Sequence, residues 1–266
     1  MKIYLELNIM KKILCLFSAI ALVLTSCTGE DSPAPVVPTP ILVTKIIRES
    51  NSNIFTREFT YDGAKLNTES SSDGLVKYYT YENDLITFIE TKEGTTTRRE
   101  MFVEYNSNNK IIRTIDLDYN ATNPNIAGFK AEYTYNPDGT VFVIHHYGTI
   151  TEQNTFNYKS LLYFDSLKQI RKLEDMNVND EIIYSLTINY DGYNSPFKNV
   201  LGYHKFIFNL YDGVQNVSDV QDALWTSGGA YWSLNIYSYN SSNYPITRSF
   251  SSRDVTQEDY EYFYNQ

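Results

Sequence analysis

The chain has 266 residues, 42% of them hydrophobic and 20% charged, with 24 Tyr, 14 Phe, 8 Pro and 2 Cys and a formal net charge of −10. This composition excludes a disordered chain, a collagen-like repeat and a disulfide scaffold, and the length suffices for one large or two small domains with a sizeable core. The acidic balance argues against a nucleic-acid partner, which Lys and Arg would have to hold.

The chain opens on an address. Met10-Lys11-Lys12 precedes an apolar run from Ile13 to Leu24, 12 positions interrupted only by Ser18. A membrane-spanning helix needs ~20 apolar residues, so the run reads as the core of a secretory signal. Met10 makes a better start than Met1, because the basic pair then opens the signal directly. Leu24-Thr25-Ser26-Cys27 resembles the bacterial lipobox, in which small residues precede a cysteine that is acylated and becomes the mature N-terminus. The resemblance implies a signal peptide over residues 1–26, a palmitate-type lipid on Cys27 and attachment to the membrane through it. Two or three acyl chains hold a protein durably where one does not. Thr28 follows the cysteine, so the aspartate of inner-membrane retention is missing, and Glu30-Asp31 partly resembles the surface-export signal of Bacteroidetes lipoproteins. The expected location is therefore the outer membrane, facing either the periplasm or the exterior.

Loss of residues 1–26 removes Lys2, Lys11, Lys12 and Glu6, which takes the net charge to −12 and leaves Cys27 as the only cysteine. A disulfide, a Cys-ligated metal and a Cys nucleophile are then ruled out. Ser32 to Pro40 holds four prolines in nine residues and favours extended polyproline II, so residues 27–40 read as a tether and 41–266 as a single folded domain.

Beyond residue 40 one pattern recurs: alternating residues ending in an aromatic, a polar turn, then an aliphatic run. The aromatic anchors are Tyr61, Tyr81, Tyr105, Tyr135, Phe164, Tyr190, Tyr239 and Tyr264, at intervals of 20, 24, 30, 29, 26, 49 and 25 residues. Such a period marks repeated supersecondary units. Each unit reads as an antiparallel hairpin with Asn, Asp, Gly and Pro supplying its turns. Tyr79 and Tyr81 share one face while Thr80 takes the other, and Tyr184, Leu186, Ile188 and Tyr190 alternate likewise with Ser185, Thr187 and Asn189. The predicted fold is all-β: an antiparallel meander of a dozen or more strands forming a large twisted sheet or barrel-like roll. In the 49-residue interval, residues 196–229 read as a long loop, with a helical turn or two over Val217 to Leu224. A porin would turn apolar residues to lipid; charges such as Arg57, Glu104, Arg113 and Glu132 on the second face predict a water-facing surface instead.

The lipobox, the tyrosine hairpins over 55–266, the segment Asn194-Ser195-Pro196-Phe197-Lys198-Asn199 and the ending Tyr237-Ser238-Tyr239-Asn240, Tyr244-Pro245-Ile246-Thr247-Arg248 and Tyr262-Phe263-Tyr264 together resemble a Bacteroidetes lipoprotein family of unknown function. Its β domain is described as porin-like. That family brings no activity, cofactor or catalytic residue to transfer. Tyr61-Asp62-Gly63 and Tyr190-Asp191-Gly192 also echo the repeats of Rhs-type shell proteins, but the Gly-Arg that follows there is missing in most copies.

Candidate sites are few. His145 and His146 are adjacent on a strand and point to opposite faces, so they cannot share a metal, and His204 has no evident partner. Asp116-Leu117-Asp118-Tyr119-Asn120 begins like a calcium loop, but Ala121 and Ala127 occupy the positions of the required Gly and Glu. No phosphate-cradling Gly loop, nucleophile elbow or His-Glu-x-x-His motif occurs, and no metal or cofactor is expected. Asp165-Ser166-Leu167 matches a short Bacteroidetes O-glycosylation pattern. Trp225, Tyr231 and Trp232 flank Gly228-Gly229, and flat aromatic rings beside a loop suit stacking on sugars or gripping a peptide. The expectation is a lipid-anchored envelope protein that binds a glycan or protein without catalysis. The alternatives are a glycan- or peptide-directed hydrolase and a purely structural envelope protein.

Overall fold

The computed structural model of the protein describes residues 39–206, 215–225, 232–252 and 257–266. The signal, Cys27 and the proline-rich stretch through residue 38 lie outside the described residues. Sixteen strands run in sequence order: β1 (Val43–Ser50), β2 (Asn53–Asp62), β3 (Lys65–Ser71), β4 (Leu75–Glu82), β5 (Leu85–Glu93), β6 (Thr96–Tyr105), β7 (Ile111–Asp118) and β8 (Gly128–Tyr135) form the first half. The second half comprises β9 (Val141–Gly148), β10 (Thr155–Phe164), β11 (Ile170–Met176), β12 (Ile182–Asn194), β13 (Gln215–Trp225), β14 (Trp232–Tyr239), β15 (Pro245–Ser252) and β16 (Glu258–Tyr264). Each strand pairs antiparallel with its sequence neighbours, and β1 pairs with β16, so the meander closes into a barrel. Single 3₁₀ turns at Pro124–Ile126 and Tyr203–Lys205 are the helical content among the described residues.

The eight aromatic anchors end the eight even-numbered strands, all at one mouth of the barrel. After three of the anchors the next residue shapes the turn. Oδ1 of Asn106 accepts from the Asn108 and Lys110 amides at 2.9 and 3.1 Å, Asp165 treats Leu167 and Gln169 in the same way, and so does Asn240 with Ser242 and Tyr244. At the chain end, Asn265 Oδ1 accepts from the Leu42 amide at 2.9 Å and helps fasten β16 to β1.

The anchors also close the hairpins. Each hairpin turns at the far mouth, so its two free ends meet at the tyrosine mouth, where nothing covalent joins them. There the anchor hydroxyl bonds to backbone at the start of the preceding strand: Tyr61 to Val43 O at 2.7 Å, Tyr105 to Ile86 O at 2.9 Å, Tyr190 to Ile170 O at 2.8 Å and Tyr264 to Pro245 O at 2.8 Å. Tyr81 instead accepts from the Leu66 amide at 3.0 Å, and Tyr135 bonds the Ile111 backbone. Burial spares the hydroxyls from ionising: desolvation pushes Tyr81 and Tyr135 up to about 12, against the smaller lowering effect of their backbone bonds. Of the two remaining anchors, Tyr239 donates instead to the Asp191 carboxylate and Phe164 has no hydroxyl to offer.

Sixteen strands enclose more space than their inward side chains can fill. The segment after β12 fills it. Phe197 and Val200 pack with Leu42, Val43, Ile46, Phe59 and Leu66, while Phe206 joins the cluster of Ile86, Val103, Ile111, Val143, Leu186 and Ile188. Phe197 meets Phe59 edge-on with centroids 5.4 Å apart and stacks on Tyr203 at 4.6 Å. Gly202 lets this segment press on the β4–β5 turn: its φ is +74°, and a Cβ there would sit 2.7 Å from Asp84 O. The tyrosine mouth is thus plugged by the chain itself.

Two expectations need correction. Val217–Leu224 is not helical; it lies within β13, whose register runs Tyr190↔Val217, Asn189↔Asp219 and Ile188↔Val220. The long-loop reading of 196–229 therefore shrinks to the stretch between β12 and β13 and the β13–β14 connection. Arg57 does not belong to the outer face: it shares a row with Phe59 and lines the lumen with Glu69. Glu104, Arg113 and Glu132 do share one outward row across β6, β7 and β8.

Candidate functional site

Away from the plug, the lumen changes from apolar to charged. Counting back in twos from each anchor gives the inward row of its strand: Tyr61, Phe59, Arg57 and Phe55 on β2, Tyr81, Tyr79 and Lys77 on β4, Tyr105, Val103, Met101 and Arg99 on β6. The cations thus sit one or two steps beyond the core. A bulge sets the phase of β3, where the pairing steps from Thr60↔Thr68 to Tyr61↔Leu66, so that Leu66 and Glu69, three apart, both face inward.

Glu69 is the centre of the site. It is 6% exposed; its Oε1 lies 3.1 Å from Lys77 Nζ and 3.6 Å from Arg57 Nη1, and its Oε2 accepts from Tyr79 Oη at 3.0 Å. Burial alone would push this carboxyl up, but the charges of Lys77 and Arg57 and the hydrogen bonds from Lys77 and Tyr79 bring it below the usual carboxylate range. Tyr79 shifts the opposite way, well above an ordinary phenol, because of burial first and the Glu69 charge second. Around this group opens a cavity of about 300 Å³ lined by Arg48, Phe55, Arg57, Glu69, Asp73, Lys77 and Tyr260. A second, of about 250 Å³, shares Lys77 and Thr91 with it and extends to Tyr79, Arg99, Met101, Tyr203 and Phe206. Arg48 lies 3.8 Å from Glu258 and over the Phe55 ring at 5.0 Å. Arg99 grips Asp116 with both prongs, its Nε 2.6 Å from Oδ1.

Across the lumen, a second polar network joins β9, β10 and β11. His145 Nε2 lies 2.9 Å from Ser160 Oγ, which donates to Asp175 Oδ1 at 2.5 Å, and the imidazole stacks on Tyr158 at 4.1 Å. Burial and then the neighbouring His146 lower His145 to about 4, so it is neutral at pH 7, while burial raises Asp175. The serine stands between the other two and is 2% exposed, which is the wrong order and the wrong accessibility for a nucleophile activated by its histidine. His146 faces outward, its Nδ1 3.8 Å from Glu132. His204 and Lys205 line a third cavity of about 480 Å³ at the tyrosine mouth, with Tyr135 and Phe164. Among the described residues, no three His, Cys, Asp or Glu are grouped to hold a metal.

The geometry now allows comparison with known folds. In fold, the chain is similar to a porin-like protein from Bacteroides vulgatus. The two share 18% identity at a TM-score of 0.56, over 85% of this chain and 99% of that one. A porin-like protein from Bacteroides uniformis also aligns, at 11% identity and a TM-score of 0.39 over 84% and 96% of the two chains. No family model and no curated protein matches the chain. The likeness is one of fold, and it is the porin-like barrel that brings Arg48, Arg57, Lys77 and Arg99 together.

The outer face differs from a lipid-facing band, which would carry apolar side chains along each strand. Ion pairs stud it: Lys92–Glu90 at 2.8 Å, Arg113–Glu104 at 2.6 Å, Lys172–Glu174 at 2.6 Å and Lys130–Glu132 at 3.7 Å. Of the residues marked for stacking, Trp232 is 48% exposed on β14, in an outward row with Leu234 and Ile236. Trp225 holds the β13 position registered with Tyr184, and Tyr231 lies outside the described residues. Asp116 and Asp118 are already engaged, by Arg99 and by the Asn120 amide at 2.8 Å. Ser166 is exposed in the turn that Asp165 caps.

Proposed function

We propose that the chain is a lipid-anchored protein of the bacterial cell envelope whose barrel binds a partner in its lumen without transforming it. The charged cleft around Glu69 carries this reading. A lumen that only needed filling would be apolar, whereas this one keeps Arg48, Arg57, Lys77 and Arg99 around open space. Catalysis is disfavoured by the same geometry. Glu69 is held ionised by two cations, so it is no general acid, and its oxygens face Lys77, Arg57 and Tyr79 rather than a second carboxylate. Cys27 and the apolar run before it support lipid attachment, and Trp232 with its outward neighbours offers a second, peptide- or glycan-facing surface.

The porin-like fold favours one other reading, a pore. The plug of Phe197, Val200 and Phe206 and the ion-paired exterior speak against it. Two measurements on the full chain decide. In planar bilayers the protein conducts no ions, and a stable conductance step would establish the pore. In cell fractionation Cys27→Ala leaves the outer membrane; retention there would remove the lipid anchor from the account.

A further inference from the structure

Four turns at the tyrosine mouth, residues 106–110, 136–140, 165–169 and 240–244, share one form. The first amide donates to the fifth carbonyl, and the fourth amide donates back to the first carbonyl. The β10 to β11 turn and its anchor depart from their counterparts at three positions. Phe164 stands where every other anchor is a tyrosine. Leu167 stands at the turn tip, where the other three turns hold Asn108, Asp138 and Ser242, and it is 50% exposed. Lys168 takes φ +66° where Asn109, Gly139 and Asn243 take +57°, +88° and +63°. That left-handed conformation suits Gly and Asn and costs a residue with a long side chain. All three departures line the cavity of about 480 Å³ at this mouth. Local rules broken together at one place mark a functional site.

The cavity has two parts. Ile111, Tyr135, Val141, Phe164 and Leu167 give it an apolar floor. Lys110, Lys168 and Lys205 also line it, and no carboxylate does. The lysines in ion pairs among the described residues are others: Lys65, Lys77, Lys92, Lys130, Lys159 and Lys172. Lys110 Nζ lies 4.5 Å over the Tyr135 ring. The carboxylates of these turns are taken up by the turns themselves. Asp138 Oδ1 accepts from the Thr140 amide and hydroxyl at 2.9 and 2.7 Å, and Asp165 accepts from the Leu167 and Gln169 amides and from Gln169 Nε2. Even with both counted, three lysines stand against two aspartates, so this sector is cationic in a chain of net charge −10. A cavity of this size suits a small molecule, and a surplus of one sign in a cleft concentrates ions of the other.

We propose that this cavity binds a small amphipathic anion, its apolar body on the floor and its acidic head among Lys110, Lys168 and Lys205. The site is separate from the cleft around Glu69 and does not depend on it.

The test is isothermal titration calorimetry of the full chain in a nonionic detergent at low ionic strength, corrected by the same injections into detergent alone. Octanoate carries both parts, 1-octanol the apolar body alone, and acetate the charge alone. Octanoate is expected to bind at least about tenfold more tightly than either, the ratio that one charge-assisted hydrogen bond supports. Its binding weakens as salt rises to about 0.5 M. Leu167→Asp puts a negative charge over the floor from an exposed turn tip and reduces octanoate affinity about tenfold or more, with the melting midpoint unchanged. Lys205→Met reduces it likewise. Lys198→Met, outside the lining, leaves it unchanged, and an equal loss there would overturn the site in favour of general charge. Octanol binding as tightly as octanoate overturns the anionic head, and acetate binding as tightly overturns the apolar body. Absence of binding by all three probes, or full affinity in Leu167→Asp, overturns the site itself.

Discussion

Replacing Tyr105 by Phe deletes one oxygen and leaves the ring in place, so it isolates what a clasp contributes. The Tyr105 hydroxyl donates to Ile86 O at 2.9 Å, and Ile86 is fully buried, so the carbonyl has no water to take over. A buried acceptor left without its donor costs about 1–3 kcal/mol. For a fold of this size, each kcal/mol shifts the midpoint by roughly 2–4 °C, which places the loss at about 3–6 °C for a mid-range cost of ~1.5 kcal/mol. The control is Tyr119→Phe. Its hydroxyl also bonds, to Glu100 at 2.6 Å, but the side chain is 45% exposed and water replaces the partner, so less than about 0.5 kcal/mol is expected. Thermal melting followed by far-ultraviolet circular dichroism reads both. Equal midpoints for the two variants would refute the idea that the anchor hydroxyls close the hairpins.

Three further outcomes follow from the same packing. Phe164→Tyr supplies the missing hydroxyl beside the open space it shares with Val141 and is expected to raise stability by about 0.5–1 kcal/mol, read as a higher denaturant midpoint; a lower midpoint would show that no backbone partner is in reach. Phe197→Ala empties the plug between Phe59 and Tyr203 and should cost about 3–5 kcal/mol, with faster hydrogen exchange at Leu42, Val43 and Leu66; unchanged exchange there would show that the plug is not part of the core. The third concerns pH. His145 is held at about 4 against about 6.5 unfolded, so the unfolded chain takes up the proton first and stability falls as pH drops from 6.5 towards 4, by at most about 3 kcal/mol. Asp175, whose carboxyl is raised, opposes this loss in part. His145→Asn should flatten the dependence of the melting point on pH between 7 and 4.5, and an unchanged slope would place the titration elsewhere.

Most of the architecture can be read in the anchors. Each of the eight aromatics ends an even-numbered strand, so their count alone yields the strand number, and the polar residue that follows each marks its turn. The 49-residue interval conceals no missing hairpin, only an insertion. What misleads there is Val217, Val220 and Leu224, spaced as on a helix; a bulge in the pairing with β12 shifts the phase after Val217 instead. The cleft is half legible. Arg57, Lys77 and Arg99 stand four, four and six residues before an anchor, in phase with it, and period-two alternation places them inside. General polarity points the other way and misplaces Arg57. Glu69 gives no such signal, because the bulge on β3 inverts its phase relative to Leu66. The plug is equally silent, since nothing local distinguishes Phe197 or Phe206 from a loop aromatic until the barrel that they fill is known.

The central claim is that the barrel turns its outer face to water and keeps its site within. Hydroxyl-radical footprinting of the full chain in native membranes tests this most directly. Ile236, 64% exposed, and Phe102, 39% exposed, both on the outer face, should be oxidised readily, while Val143 and Ile188, each 1% exposed, stay protected. Protection of Ile236 and Phe102 together, lost on extraction into detergent-free buffer, would mean that lipid covers the strands and would contradict the account.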